Sequence, residues 1–307
     1  MSKVVVVVSV DWEGRSLLEE NLQLMIGFRE KHSDVPIQHF LNAAYYTRQN
    51  ADVERTTGFI QKTLLPIDEH GLHIHAWASL VAAAGVSPRN TPRFLEGDPP
   101  VPKAPDDWEY FPAEAGYDVS LESFEPHELD RLLRTSIEIL SSHGFREPTT
   151  FRAGAWLSGP RVQDALARGR FAADCSAVDP QLSVRRFGDI PLCRWLLQMW
   201  PTTVGTTQPY QVDTPSGVVW QIPNNAGLVD YTSTEDLIEI FNRNIAMWLE
   251  SPNTYRIIST GFHQETARKF LNRLDESIPL MREIAGQRGV PLVFSARPQD
   301  YVTKGHA

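Results

Sequence analysis

Val4-Val5-Val6-Val7-Val8-Ser9-Val10-Asp11-Trp12-Glu13 is the stretch that decides the fold. β-Branched side chains suit a pleated surface, and an unbroken run of them suits a strand buried on both faces, which is the habit of parallel sheets. One lysine precedes the run, no small-residue cleavage site follows it, and it passes straight into two acids, so it reads as a central parallel strand rather than an export signal. Beyond Gly14 the apolar residues Leu18, Leu22, Met25 and Phe28 recur at helical spacing up to about His32, and Pro36 breaks the pattern. Ile37 to Ala44 then reads as a strand, about 50–65 as a helix closed by Pro66, and Leu72 to Ala76 as a third strand. This alternation is that of right-handed βαβ units around a parallel sheet.

The rhythm pauses over 87–124, where seven prolines lie among acidic and aromatic residues, and a loop of that length in a compact domain is functional or flexible. It resumes with Leu129, Leu132, Leu133, Ile137 and Leu140 on one helical face, a strand at Thr149 to Arg152, a helix from Pro160 to Arg168 and a short strand into Asp174. The stretch 180–217 reads as irregular. Val218 to Ile222 is a strand, Ser233 with Asp236 caps a helix, Tyr255 to Phe262 is a strand, Thr266 to about Ile284 a helix and Pro291 to Ser295 a last strand. The whole chain, 1–307, is expected to be one α/β barrel-like domain with a proline-rich insertion at about 87–124, and in such folds chemistry sits at the C-terminal strand ends.

Composition narrows the classes. With 29 basic against 38 acidic residues the chain carries a formal charge of −9 and has no long basic run, so neither nucleic acid nor an anionic membrane is an expected partner. No stretch approaches the roughly 18 to 20 apolar residues of a membrane span. Two cysteines cannot form a disulfide framework, and a cytoplasmic protein with reduced thiols is the expectation.

The strand ends carry the candidate chemistry. Asp11 and Glu13 share a face of the first strand, suited to binding a divalent cation or to dividing the roles of ligand and general base; solvated loop acids are the plainer alternative. His70, His73 and His75 crowd the third strand, and His73 and His75, on one face, can bind one zinc-like ion. The fourth strand offers Phe151 and Arg152 before a glycine, with Trp156 beyond, an arginine able to orient a carboxylate and rings able to face a sugar. Asp174 can accept from Arg152 or cap the next turn. His263, past the late strand, becomes the candidate general acid in company with the others.

In their order, Ser9-Val10-Asp11-Trp12-Glu13, Gly71 to Trp77, Phe151-Arg152-Ala153-Gly154 and Gly261-Phe262-His263 resemble the motifs of the polysaccharide deacetylase (NodB-homology) superfamily, through nearly the whole chain. The resemblance implies a distorted (β/α)7 TIM-like barrel and a metal-dependent hydrolytic site. It implies Asp11 as general base oriented by Arg152, Glu13 and His73 as metal ligands, Asp174 as the following aspartate and His263 as general acid. The family's third-strand motif has two metal histidines four residues apart, but Trp77 stands at the second place; either His75 replaces that ligand, or the metal is held more weakly, or it is absent. The implied cofactor is a divalent metal, zinc foremost with nickel or cobalt as alternatives. The implied reaction removes an acetyl group from an N-acetylated sugar or related small molecule, a glycan or small-molecule substrate walled by Trp77, Phe151 and Trp156. Hydrolysis of cyclic amides or ureides is an alternative within the superfamily, and a silent carbohydrate-binding barrel is one outside catalysis.

Overall fold

The computed structural model describes residues 2–15, 17–49, 51–95 and 115–302; the middle of the proline-rich insertion lies outside them. Nine strands among these residues form one sheet: β1 (Val4–Asp11), β2 (Ile37–Leu41), β3 (Glu69–Ile74), β4 (Thr150–Ala153), β5 (Ala173–Asp174), β6 (Tyr210–Thr214), β7 (Gly217–Gln221), β8 (Arg256–His263) and β9 (Leu292–Phe294). Their connections hold the helices α1 (Glu19–Lys31), α2 (Val53–Thr63), α3 (Ala78–Ala83), α4 (Pro126–Ser142), α5 (Pro160–Arg168), α6 (Pro180–Phe187), α7 (Pro191–Met199), α8 (Thr234–Glu250), α9 (Ala267–Arg288) and α10 (Gln299–Val302).

The valine run is the central strand. β1 pairs in parallel with β8 along its whole length, and its other edge is shared by β2 towards the C-terminal end and β9 towards the N-terminal end. Alternation then splits the run between two cores. Val5 and Val7 face inward with Phe40, Cys175, Ile222 and Ile257, while Val4, Val6, Val8 and Val10 face the helical layer. From β8 the parallel order runs through β1, β2, β3, β4 and β5 to β7, and β6 adds an antiparallel hairpin arm on β7. Between β7 and β8 there is no ladder. Segment 224–229 spans the gap with single contacts, Asn224 N–H to Ala177 O at 2.7 Å, Ala226 N–H to Ser259 O at 2.9 Å and Val229 N–H to Gly261 O at 2.8 Å. The result is the curled (β/α) half-barrel that the motif order implied.

Most elements follow the sequence reading closely, the α8 cap included: Ser233 accepts from Asp236 N–H, and Leu237, Phe241, Ile245 and Trp248 point inward. The stretch expected to be irregular, 180–217, instead holds α6, α7 and β6. Pro180 and Pro191 begin these helices at their first turn, where a missing N–H costs nothing, so residues that read as breakers are starters. Cys175 and Cys193 are both buried free thiols. Among the described residues no helix is long and apolar enough to cross a membrane.

Candidate active site

At the C-terminal end of the curled sheet, residues at the ends of β3 and β8 converge on the Glu13 carboxylate just past β1, which is 2 % exposed. His73 Nε2 lies 3.3 Å from Glu13 Oε1, His75 Nε2 2.8 Å from Oε2, and His263 Nε2 3.3 Å from Oε1. Burial alone would raise the Glu13 pKa, but His75, His73 and His263 together hold it well below the usual carboxylate range. His75 is pushed below its ordinary value by burial, while Glu13 overrides the same burial at His73 and raises it.

The donor set fits a divalent ion. The ligand atoms of Glu13, His73 and His75 all lie within 4.8 Å of one another. His73 Nδ1 is 2.8 Å from Arg152 O and His75 Nδ1 is 2.8 Å from Tyr117 O. With the Nδ1 proton given to a carbonyl, each ring turns a bare Nε2 towards Glu13, the outer-shell arrangement that metal-ligating histidines use. Trp77, at the position of the second family histidine, is 2 % exposed and its Nε1 donates to Glu13 O at 2.8 Å. The indole thus braces the ligand strand from behind and is no wall for a substrate. His75 can step in because position 154 has no side chain: a Cβ on Gly154 would stand 2.6 Å from His75 Nδ1.

Asp11 takes a separate place. Arg152 Nη1 donates to Asp11 Oδ1 at 2.7 Å and to Ser9 Oγ at 2.8 Å, and its Nε donates to Cys175 O at 3.1 Å, so the guanidinium is fixed across the interior and fixes the carboxylate with it. His263 Nδ1 is 3.1 Å from Asp230 Oδ1, and Asp230 also accepts from Thr266. Burial opposes the imidazolium, but Asp230, Glu13 and Asp11 outweigh it and raise His263 to about 9. Trp156 closes this side, its ring 6.3 Å from that of His263 and 5.4 Å from Tyr231. It follows Ala155, and both sit at positive φ, 57° and 55°. Left-handed backbone at two successive non-glycine residues is strained and is tolerated where a site needs the chain turned.

Two expected site residues are not brought in. Phe151 is fully buried on the helical side of β4, edge-on to Phe171 at 6.1 Å, because alternation gives the inner face to Arg152. Asp174 likewise faces outward, opposite Phe151 and Gln221 in register, while Cys175 takes the inner face. Its Oδ1 accepts from Ser176 N at 3.0 Å, so of the two readings the turn cap is the one realised, and burial raises its pKa to about 6. His70 also lies away from the site, its Nδ1 accepting from Arg146 N–H at 3.0 Å.

Three residues escaped the sequence reading. Asp230 follows a buried apolar pair after β7, a weak signal that was available. Tyr117 O–H donates to Glu13 Oε2 at 2.7 Å from within the insertion, where no periodicity marks it. Glu265 accepts from Glu13 N at 3.2 Å and from Tyr45 O–H at 2.7 Å, and burial with the Glu13 charge raises it to about 7.

Solved structures place the fold. A structure described as a putative polysaccharide deacetylase from Mycobacterium smegmatis aligns over 98 % of this chain and 90 % of its own at 12 % identity, with a TM-score of 0.54. A probable polysaccharide deacetylase from Pseudomonas aeruginosa PAO1 aligns over 99 % and 92 % at 12 % identity and 0.52. One described as Puue allantoinase aligns over 99 % and 92 % at 13 % identity and 0.53. The fold is that of the polysaccharide deacetylases. No protein-family model matches the sequence, and no curated protein matches it either.

Proposed function

We propose that the protein is a divergent member of the polysaccharide deacetylase superfamily, a metal-dependent hydrolase that removes an acetyl group from an N-acetylated sugar or related small molecule. The observation that carries this reading is the convergence of three imidazoles on Glu13 beside a carboxylate, Asp11, that is pinned separately by Arg152. Glu13, His73 and His75 would hold the ion, zinc foremost with nickel or cobalt as alternatives, and when bound it would supply Lewis acidity at the acyl oxygen and at water. Asp11, oriented by Arg152, takes the proton from the attacking water as the new C–O bond forms. His263, kept protonated by Asp230, gives its proton to the amide nitrogen as the C–N bond breaks, so acetate and an amine leave. Trp156 bounds the His263 side of the acyl position. Asp174 has no part, and the whole chain acts as a single unit.

A second reading, hydrolysis of cyclic amides or ureides, is favoured by one feature, Trp77 at the place of a family ligand. The deciding experiment measures metal content of the purified protein and of His73→Ala, then turnover of N-acetyl sugars beside cyclic amides. Stoichiometric metal lost in the variant, with acetate release from the sugars, is expected. Turnover of the cyclic amides alone selects the second reading, and neither metal nor turnover after reconstitution sinks both.

A further inference from the structure

A cavity of about 760 Å³ lies on the outer side of the sheet, between the loop 157–160, the C-terminal end of α7 and β6. None of its lining belongs to Glu13, the three histidines, Asp11 or Arg152, and its size is within the range that small-ligand sites occupy. It borders the site at one contact, Trp200 Nε1 donating to Trp156 O at 2.9 Å.

The chemistry of the wall selects the ligand. Trp195, Trp200 and Tyr210 present aromatic surface, and Gln198, Thr203 and Ser158 intersperse it with uncharged hydrogen-bonding groups. No lysine or arginine is among the described residues that line it, so nothing there would neutralise a phosphate or a carboxylate. The single acid on the wall, Glu122, is spent on the first turn of α5, accepting from Val162 N at 2.9 Å and from Arg161 N at 3.3 Å. Flat apolar rings beside neutral donors and acceptors suit a ligand with apolar C–H faces and a hydroxylated edge.

We propose that this cavity is a second ligand site, distinct from the hydrolytic centre, that binds a neutral sugar ring or glycan segment against Trp195 and Tyr210. It does not depend on the proposed hydrolysis, since binding needs neither metal nor turnover.

The test is calorimetric titration of the full chain with the β-1,4-linked tetramer of N-acetylglucosamine and with cellotetraose. It compares wild type, Tyr210→Ala, Trp195→Ala and His73→Ala. Tyr210 is 38 % exposed and Trp195 half-buried, so both truncations leave the core intact. Expected is binding of at least one oligosaccharide with equal affinity in wild type and His73→Ala, weakened about tenfold or more in each aromatic variant. No binding of either oligosaccharide to wild type overturns the proposal, as does unchanged affinity in both aromatic variants. Loss confined to His73→Ala overturns it too, by assigning the sugar to the hydrolytic centre, and leaves the hydrolase reading standing.

Discussion

Asp174 and Cys175 are neighbours in sequence and occupy opposite faces of β5, and that single alternation turns Asp174 away from the point that Asp11 reaches. Asp11→Asn is expected to lower kcat by about 10²–10⁴-fold, the usual loss of an essential base, whereas Asp174→Asn keeps kcat within about twofold. Steady-state kinetics of the two side by side checks this. Asp174→Asn also has a stability signature. Burial raises the folded pKa to about 6 while the unfolded carboxyl titrates near 4, so the folded state binds more protons between those values and wild-type stability falls as pH rises through that window. The variant, with no proton to lose, is expected to be more stable than wild type at pH 7 by on the order of 2–3 kcal/mol in urea melts. Asp230→Asn, by contrast, leaves His263 without its closest counter-charge. It should lower kcat with metal content unchanged, and a coincident loss of metal would show that Asp230 serves the ion site instead.

Among the elements, β3 and the residue just past its end carry the proposed ligand pair. His73 and His75 stand two residues apart, where a strand places both on one face, and the second ring is accommodated only by the bare Cα of Gly154 on β4's exit. Gly154→Ala is therefore expected to displace His75 and weaken metal affinity by about 10–100-fold, read by competition with a chromophoric chelator. Ser233→Ala, which removes the α8 cap far from the metal, should cost about 1 kcal/mol in a urea melt with metal affinity unchanged. What was legible in the sequence follows from strict periodicity. Strand ends, caps and helical faces repeat at fixed spacing, so Asp11, Glu13, His73, His75, Arg152 and His263 could all be placed. Asp174 and Phe151 were misplaced because a strand of two residues and one of four give too few alternations to settle the inner face. Tyr117 and Asp230 lie on connections whose path is set by tertiary contacts, which leave no pattern in sequence.

For the molecule as a whole, an ion bound at the proposed Glu13, His73 and His75 site would be a ligand of the folded state and would add stability as RT ln(1 + [L]/Kd). Added zinc should raise Tm in wild type and leave His73→Ala unmoved; equal shifts in both would place the ion elsewhere. Acid acts at the opposite end of the sheet. Burial lowers His70 to about 4, below its unfolded value near 6.5, so the unfolded chain binds the extra proton between those values, and stability present above pH 6.5 is lost as pH falls. His70→Asn, which keeps an acceptor for Arg146 N–H, should flatten that loss by on the order of 2 kcal/mol between pH 7 and pH 4. The unladdered gap between β7 and β8 bears on how the molecule responds to heat. Asp230 is carried by the chain immediately past that gap, so the proposed proton donor, His263, depends on a weakly stitched part of the wall, while the proposed ligands hang from fully paired strands. On the proposed mechanism, gentle heating should therefore abolish turnover before the chain melts, while Glu13, His73 and His75 still bind added zinc.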